Sequence, residues 1–215
     1  FFLRAGQLLV ISKTVSPAGW RFQCATNRRL DLIIYQTKDM LSPEELEQFH
    51  TQGFLFLKDA LTATQLEQLT AQFDLWKEQS RSQTAPYGET IDGRPRIEIS
   101  DVYLEVMRDN RALDAVVDIF GPNIKFENAK INSKLPGAAT QVKFHQDFLF
   151  EAHTNHDMMT ALFFLDDVTP ENGPLQVIPG THKGRLYDHW HDGIFTGAVS
   201  DEVMEEMTPL AQSCF

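Results

Sequence analysis

A chain of 215 residues with a formal net charge of -11 is long enough for one good-sized domain with a real core, and short for two. Its acidic residues are spread through the predicted helices, not gathered in a tail, which argues against nucleic-acid binding and for a small-molecule or protein ligand. Cys24 and Cys214 lie near opposite ends without CxxC spacing, so neither a disulfide framework nor a zinc knuckle is indicated. No apolar run approaches the ~20 residues of a membrane span. "FFLRAGQLLVIS" lacks the basic start and cleavage site of a signal peptide, and the expected location is the cytoplasm.

Residues 1 to 39 differ in charge from the rest of the chain. Arg4, Lys13, Arg21, Arg28, Arg29 and Lys38 against Asp31 and Asp39 make this segment net positive, while the remainder is strongly acidic. Met40 is a credible start, which would make the segment an extension that is not native to the domain over 40 to 215. The alternative is an N-terminal strand or arm, since "LLVIS" and "LDLIIYQ" each suit pairing at a sheet edge.

From Met40 the pattern becomes helical. In "MLSPEELEQF", Ser42 is placed to cap, Pro43 suits the first helical position, and Glu44 and Glu45 meet the positive helix end. This helix should stop near Gly53, and "FLFLKDAL" then reads as a short buried strand. In "TATQLEQLTAQFDLWKEQS", Leu66, Leu69, Phe73 and Trp76 recur at helical spacing, a stripe suited to core packing. Residues 79 to 96 are polar and turn-rich, as in a loop that covers a site. A third helix, "ALDAVVDIF", ends at "GPN".

After residue 123 the helical period disappears. "IKFENAKINSKL", "TQVKFHQDFLF", "MMTALFFLDDV" and "PLQVIPG" are short strand-like runs separated by Pro, Gly and Asn turns, and Asn172-Gly173 is a hairpin signal. Helices first and antiparallel strands afterwards predict a mainly β fold, a sandwich or jelly roll with a helical layer on one side.

Within the second run, His145 and Asp147 are one residue apart. On a strand, residues i and i+2 share a face, so an imidazole and a carboxylate would stand side by side. Two histidines and one carboxylate suit Fe(II) and leave three positions open. The alternative is a pair at a strand end bonded to the backbone, since His-x-Asp arises often by chance. On the preceding strand Asn128, Lys130 and Asn132 fall at period two: a polar row that suits a small dicarboxylate if it looks into a barrel, or a solvated face if it looks outward. His153 and His156 belong to a loop that lines a pocket mouth or simply meets water. Phe148, Phe150, Phe163 and Phe164 either shape an apolar substrate pocket or fill the core.

"LSPEELEQFHTQGFLFLKDAL", "FGPNIKFENAKINSKLPG", "FHQDFLF", "HTNHD" and above all "ALFFLDDVTPENGPLQVIPGTHKG" resemble the phytanoyl-CoA dioxygenase family of Fe(II)/2-oxoglutarate-dependent oxygenases, in the family's order from about Met40 onward. The resemblance implies a double-stranded β-helix, a cupin-like jelly roll, with His145 and Asp147 as the first two iron ligands. It also implies that Asn128, Asn132 and Thr160 contact the 2-oxoglutarate cosubstrate, and that Arg96 reaches it in some members. The family's distal histidine and its 2-oxoglutarate-binding arginine fall after the region that "TPLAQSCF" resembles, and none of His182, His189 and His191 matches the former. A fragment truncated at its C-terminal end, with impaired iron binding and turnover, is therefore expected.

The implied activity is hydroxylation of a small organic metabolite or acyl substrate with O2, 2-oxoglutarate being converted to succinate and carbon dioxide. Related halogenases carry a small residue where Asp147 stands, which favours hydroxylation. The acidic balance gives no support to a basic rim for acyl-CoA, and small apolar or amphipathic metabolites are the broad expectation. The competing reading is a non-catalytic jelly-roll binding module. A zinc hydrolase is a third, for which no third ligand or general base is placed.

Overall fold

The computed structural model describes residues 5–13, 40–81, 101–131, 142–150 and 154–214. The chain divides into two units, Leu57–Asp114 and the remainder, with the later boundary inside a helix.

In the smaller unit, helix α2 spans Ala63–Arg81 and α3 spans Asp101–Arg108. Thr62 and Gln65 close the start of α2 reciprocally: the Gln65 N–H donates to Thr62 Oγ1 at 3.2 Å and the Thr62 N–H to Gln65 Oε1 at 2.9 Å. Leu69 and Phe73 are buried as the helical stripe requires, and the Trp76 ring lies 4.8 Å from that of Tyr103. Leu66, of the same stripe, is 37% exposed, a correction at one position. Tyr103 is 1% exposed and donates its hydroxyl to the Leu69 carbonyl at 3.3 Å; burial pushes its pKa up to about 12.

The eight residues of α3 carry no helix in the sequence reading, though buried Tyr103 and Val106 stand at i, i+3. Asn110 then joins α3 to the next helix, α4 (Arg111–Phe120): its Nδ2 donates to the Val106 carbonyl at 2.7 Å and its Oδ1 accepts the Leu113 N–H at 2.9 Å. The strand expected over "FLFLKDAL" does not form. Its carbonyls at Lys58 and Ala60 accept from Arg111 instead of a neighbouring strand, and Phe56 is 43% exposed. Of the expected loop at 79 to 96, residues 79–81 belong to α2 and 82–96 lie outside the described residues.

The larger unit opens with helix α1, Pro43–Gln52. Ser42 and Glu45 form the capping box that the sequence implies, and Gly53 ends the helix at φ 82 with its N–H on the Phe49 carbonyl. The Leu41 N–H donates to Asp118 Oδ2 at 2.7 Å.

Strand β1 (Ala5–Lys13) lies between β2 (Ile124–Ile131) and β3 (Met158–Phe164), antiparallel to both. "LLVIS" is thus central and not at an edge. A central place pairs the backbone along both sides of the run, which an edge leaves open. Val10 stands opposite Asn128 on one side and Thr160 on the other, so these three share one rung. "LDLIIYQ" lies outside the described residues.

Strand β4 (Leu175–Val177) pairs with β7 (Gln212–Cys214), not with β3, so Asn172-Gly173 closes no hairpin. Pro170–Asn172 forms a 3-10 turn in which Asn172 donates to the Asp167 carbonyl at 2.8 Å. Strands β5 (Trp190–His191) and β6 (Ile194–Phe195) make a tight hairpin around Asp192 and Gly193, both at positive φ. Helix α5 (Asp201–Met207) follows, capped by Ser200. Among the described residues, the sheets have three, two and two strands, all antiparallel as expected. No described helix is long and apolar enough to cross a membrane.

Candidate metal centre

His145 and Asp147 are not on a strand. Residues 142 to 146 run without regular structure into a 3-10 turn at Asp147–Leu149, which corrects the strand expected over "TQVKFHQDFLF". A ladder needs successive backbone groups aimed at one neighbour. Here they diverge: the Phe144 carbonyl accepts the Val199 N–H at 3.0 Å, and the Gln146 N–H donates to His189 Nε2 at 3.0 Å. Gln146 is still extended, at φ -116 and ψ 120, which keeps its two neighbours on one side of the chain.

His145 Nε2 lies 3.1 Å from Asp147 Oδ1, with the side chains 31% and 33% exposed. His145 Nδ1 is 2.9 Å from the Lys143 carbonyl, which can only accept, and this places the ring proton on Nδ1. In the neutral ring, Nε2 then turns a lone pair toward a carboxylate oxygen. Two acceptors in that position need a shared cation or an added proton between them. The spacing suits a cation, because two ligand atoms each about 2.1 Å from one metal and at right angles lie about 3.0 Å apart. Asp147 Oδ2 accepts the Thr160 hydroxyl at 2.7 Å, a length in the range of charge-assisted bonds. Each donor group is therefore oriented by a second partner, as ligating imidazoles and carboxylates are, and the donor set of imidazole and carboxylate fits Fe(II).

Among the described residues, His156, His182, His189 and His191 have structural partners. His182 packs against Gly53, where an added Cβ would lie 2.2 Å from its Nδ1, and its Nε2 meets the His50 carbonyl at 3.2 Å. With the Gly180 N–H on the Gln52 carbonyl at 2.7 Å, the "PGTH" turn satisfies carbonyls that the end of α1 leaves open. His189 is 1% exposed, and its Nδ1 meets the Tyr187 carbonyl at 2.9 Å. His191 Nε2 meets the Ala198 carbonyl at 3.0 Å, and the His156 ring stands edge-on to Phe148. Among the described residues, no group of three or more His, Cys, Asp and Glu is placed to hold a metal ion.

Asn128 lies on β2, on the rung of Thr160, while Asn132, Arg96 and His153 lie outside the described residues. Phe163 is buried in the core, whereas the Phe150 ring stands edge-on to His145 at 5.5 Å and to Phe195 at 5.3 Å. Near the centre, Lys143 Nζ pairs with Asp201 at 2.8 Å, and that ammonium holds the Asp201 carboxyl below its ordinary range. The sequence assigns no role to Gln146 and places His189 only in a loop, apart from the distal ligand; the signal for their bond is no more than a glutamine between the two candidate ligands.

An imidazole and a carboxylate are two of the three ligand types that the two-histidine, one-carboxylate centres of non-haem iron oxygenases use. The chain belongs to the phytanoyl-CoA dioxygenase family, whose model matches residues 49–207 and whose fold is a cupin-like jelly roll. It is 37% identical over 125 residues to a probable alpha-ketoglutarate-dependent hypophosphite dioxygenase of Stutzerimonas stutzeri, covering 55% of this chain and 43% of that protein. It is 28% identical over 171 residues to the ectoine dioxygenase of Halomonas elongata, covering 73% and 51%. With the L-proline trans-4-hydroxylase of Streptomyces griseoviridis it shares 44% identity over 64 residues, covering 27% and 24%. The chain thus spans about half the length, or less, of these relatives. No solved structure matches it.

Proposed function

We propose that the protein is an Fe(II)/2-oxoglutarate-dependent dioxygenase that hydroxylates a small polar metabolite, built on a double-stranded β-helix. The observation that carries this reading is the 3.1 Å approach of His145 Nε2 to Asp147 Oδ1, each group held by a further hydrogen bond. Iron and 2-oxoglutarate, when bound, supply the activation of O2 that no side chain here can perform.

The chain's own residues bind and orient. The Lys143 carbonyl keeps the proton on His145 Nδ1, so that Nε2 presents a lone pair. Thr160 fixes the plane of the Asp147 carboxylate through Oδ2. Because its one proton goes to Asp147, Thr160 has none to offer a 2-oxoglutarate carboxylate, and its role shifts from cosubstrate contact to orientation of a ligand. Asn128 and Asn132 remain the proposed cosubstrate contacts, a reading supported by the shared rung of Asn128 and Thr160.

The proposed substrate class is small and polar, unlike the apolar or amphipathic metabolite expected from sequence. Hypophosphite, proline and ectoine, named in the relatives' activities, are all small polar compounds. A second reading, a binding module without turnover, draws on the absence of a third ligand group among the described residues. Succinate formation from 2-oxoglutarate, measured with Fe(II), O2 and a panel of small polar compounds, separates the two. Succinate above the no-iron control that is lost in Asp147→Ala supports the oxygenase; none with any compound supports the binding module.

A further inference from the structure

Both polar ends of the Gln146 side chain and its main-chain N–H are engaged on one loop. Its side-chain Nε2 donates to the Arg185 carbonyl at 3.1 Å, its Oε1 accepts the Tyr187 N–H at 2.8 Å, and its main-chain N–H donates to His189 Nε2 at 3.0 Å. The loop is itself fastened. His189 is 1% exposed, its Nδ1 donates to the Tyr187 carbonyl, and its own carbonyl accepts both the N–H and the hydroxyl of Thr196, at 2.9 and 3.1 Å. The Phe150 ring stands edge-on to both His145 and His189, at 5.5 and 6.5 Å.

We infer that Gln146 is the positioning residue of the metal centre: by clipping the segment between His145 and Asp147 to the 185–189 loop, it fixes the aim of one candidate ligand relative to the other. The inference rests on the reading of those two residues as metal ligands. The φ and ψ of residue 146 set the angle between the side chains on either side of it, and its extended backbone is what brings Nε2 and Oδ1 together. The neutral amide donates to one carbonyl and accepts from one N–H at the same time; ionised glutamate lacks the donor, and methionine offers no donor and only a weak sulfur acceptor.

The test is an anaerobic Co(II) titration, followed in the visible d–d bands, of the wild-type protein and of Gln146→Met, Gln146→Glu and His145→Ala, with thermal melts alongside. Gln146→Met keeps the length and removes both polar ends; it should weaken Co(II) binding by about 10- to 100-fold and change the band positions, as loss of a group that orients a ligand does. Gln146→Glu keeps the acceptor for Tyr187 and should fall between wild type and Gln146→Met. A role confined to stability would lower the melting temperature but leave affinity and spectrum of the folded protein at wild-type values.

The inference is overturned if His145→Ala abolishes binding while Gln146→Met stays within about threefold of wild type with an unchanged spectrum. If Gln146→Met does not fold, the same criterion applied to Gln146→Glu decides. If His145→Ala binds Co(II) as wild type does, the ligand reading itself fails and the positioning role falls with it.

Discussion

Gly53→Ala and Gly121→Ala form a matched pair that tests the docking of the "PGTH" turn on helix α1. Both glycines follow the last residue of a helix or nearly so, and their φ angles are 82 and 83. Giving either one a Cβ imposes the left-handed penalty of an L-residue, about 1–2 kcal/mol. They differ in surroundings: a Cβ at Gly121 meets nothing within 4 Å, whereas at Gly53 it falls 2.2 Å from His182 Nδ1 and 2.5 Å from Cγ. The His182 ring must move by more than an ångström to restore ordinary contact, and it then loses its bond to the His50 carbonyl, about 1 kcal/mol more, with further loss of packing. Urea denaturation should therefore show Gly121→Ala destabilised by about 1–2 kcal/mol and Gly53→Ala by about 2–4 kcal/mol. In a His182→Ala background, the excess at Gly53 should vanish. Equal losses at the two glycines, with no coupling to His182, would refute the docking.

Three further outcomes rest on single contacts. Thr160→Val removes the hydroxyl that holds Asp147 Oδ2 and should weaken Fe(II) binding by roughly 10- to 100-fold, while Thr160→Ser retains it; calorimetric titration under anaerobic conditions reads both. Tyr103 has a folded pKa raised from 10.0 to about 12, so the folded state keeps its proton where the unfolded chain releases it. Stability from this group is fully present below pH 10 and is lost as pH rises toward 12, a decline that Tyr103→Phe should reduce in melts across that range. Asp201 has its carboxyl held low by Lys143, so its contribution to stability is present above the ordinary carboxylate range and lost as pH falls through the depressed folded value. Lys143→Ala should return the Asp201 carboxyl to its ordinary range in an NMR titration; an unchanged value would contradict the pairing.

Elements fixed by neighbouring residues were legible in the sequence. Ser42, Pro43, Glu45 and Gly53 carry the start and stop of α1 within a dozen positions, and each does what its side chain or backbone allows. The nearness of His145 and Asp147 was legible for the same reason, because one extended residue separates them, although the loop to which that residue is bonded is distant in sequence. What failed was whatever depends on the choice of a distant partner. "FLFL" has the composition of a strand, but the backbone beyond it is bonded to Arg111. "LLVIS" suits any strand position, and only the register with β2 and β3 makes it central. Asn172-Gly173 makes a turn without making a hairpin, because β4 pairs with β7 some 35 residues later. His189 reads as a loop histidine; it is 1% exposed and accepts a bond from Gln146, 43 residues earlier, that no local pattern encodes.

The proposed role of His145 and Asp147 is to hold iron for 2-oxoglutarate chemistry. Its most direct test is an anaerobic titration of the protein with Fe(II) and 2-oxoglutarate, watching for the weak visible absorption that this cosubstrate gives when it chelates protein-bound Fe(II). The absorption should appear in the wild type, require both components, and be lost in His145→Ala and in Asp147→Ala. Its absence in the wild type, or its persistence in both variants, would rule that role out.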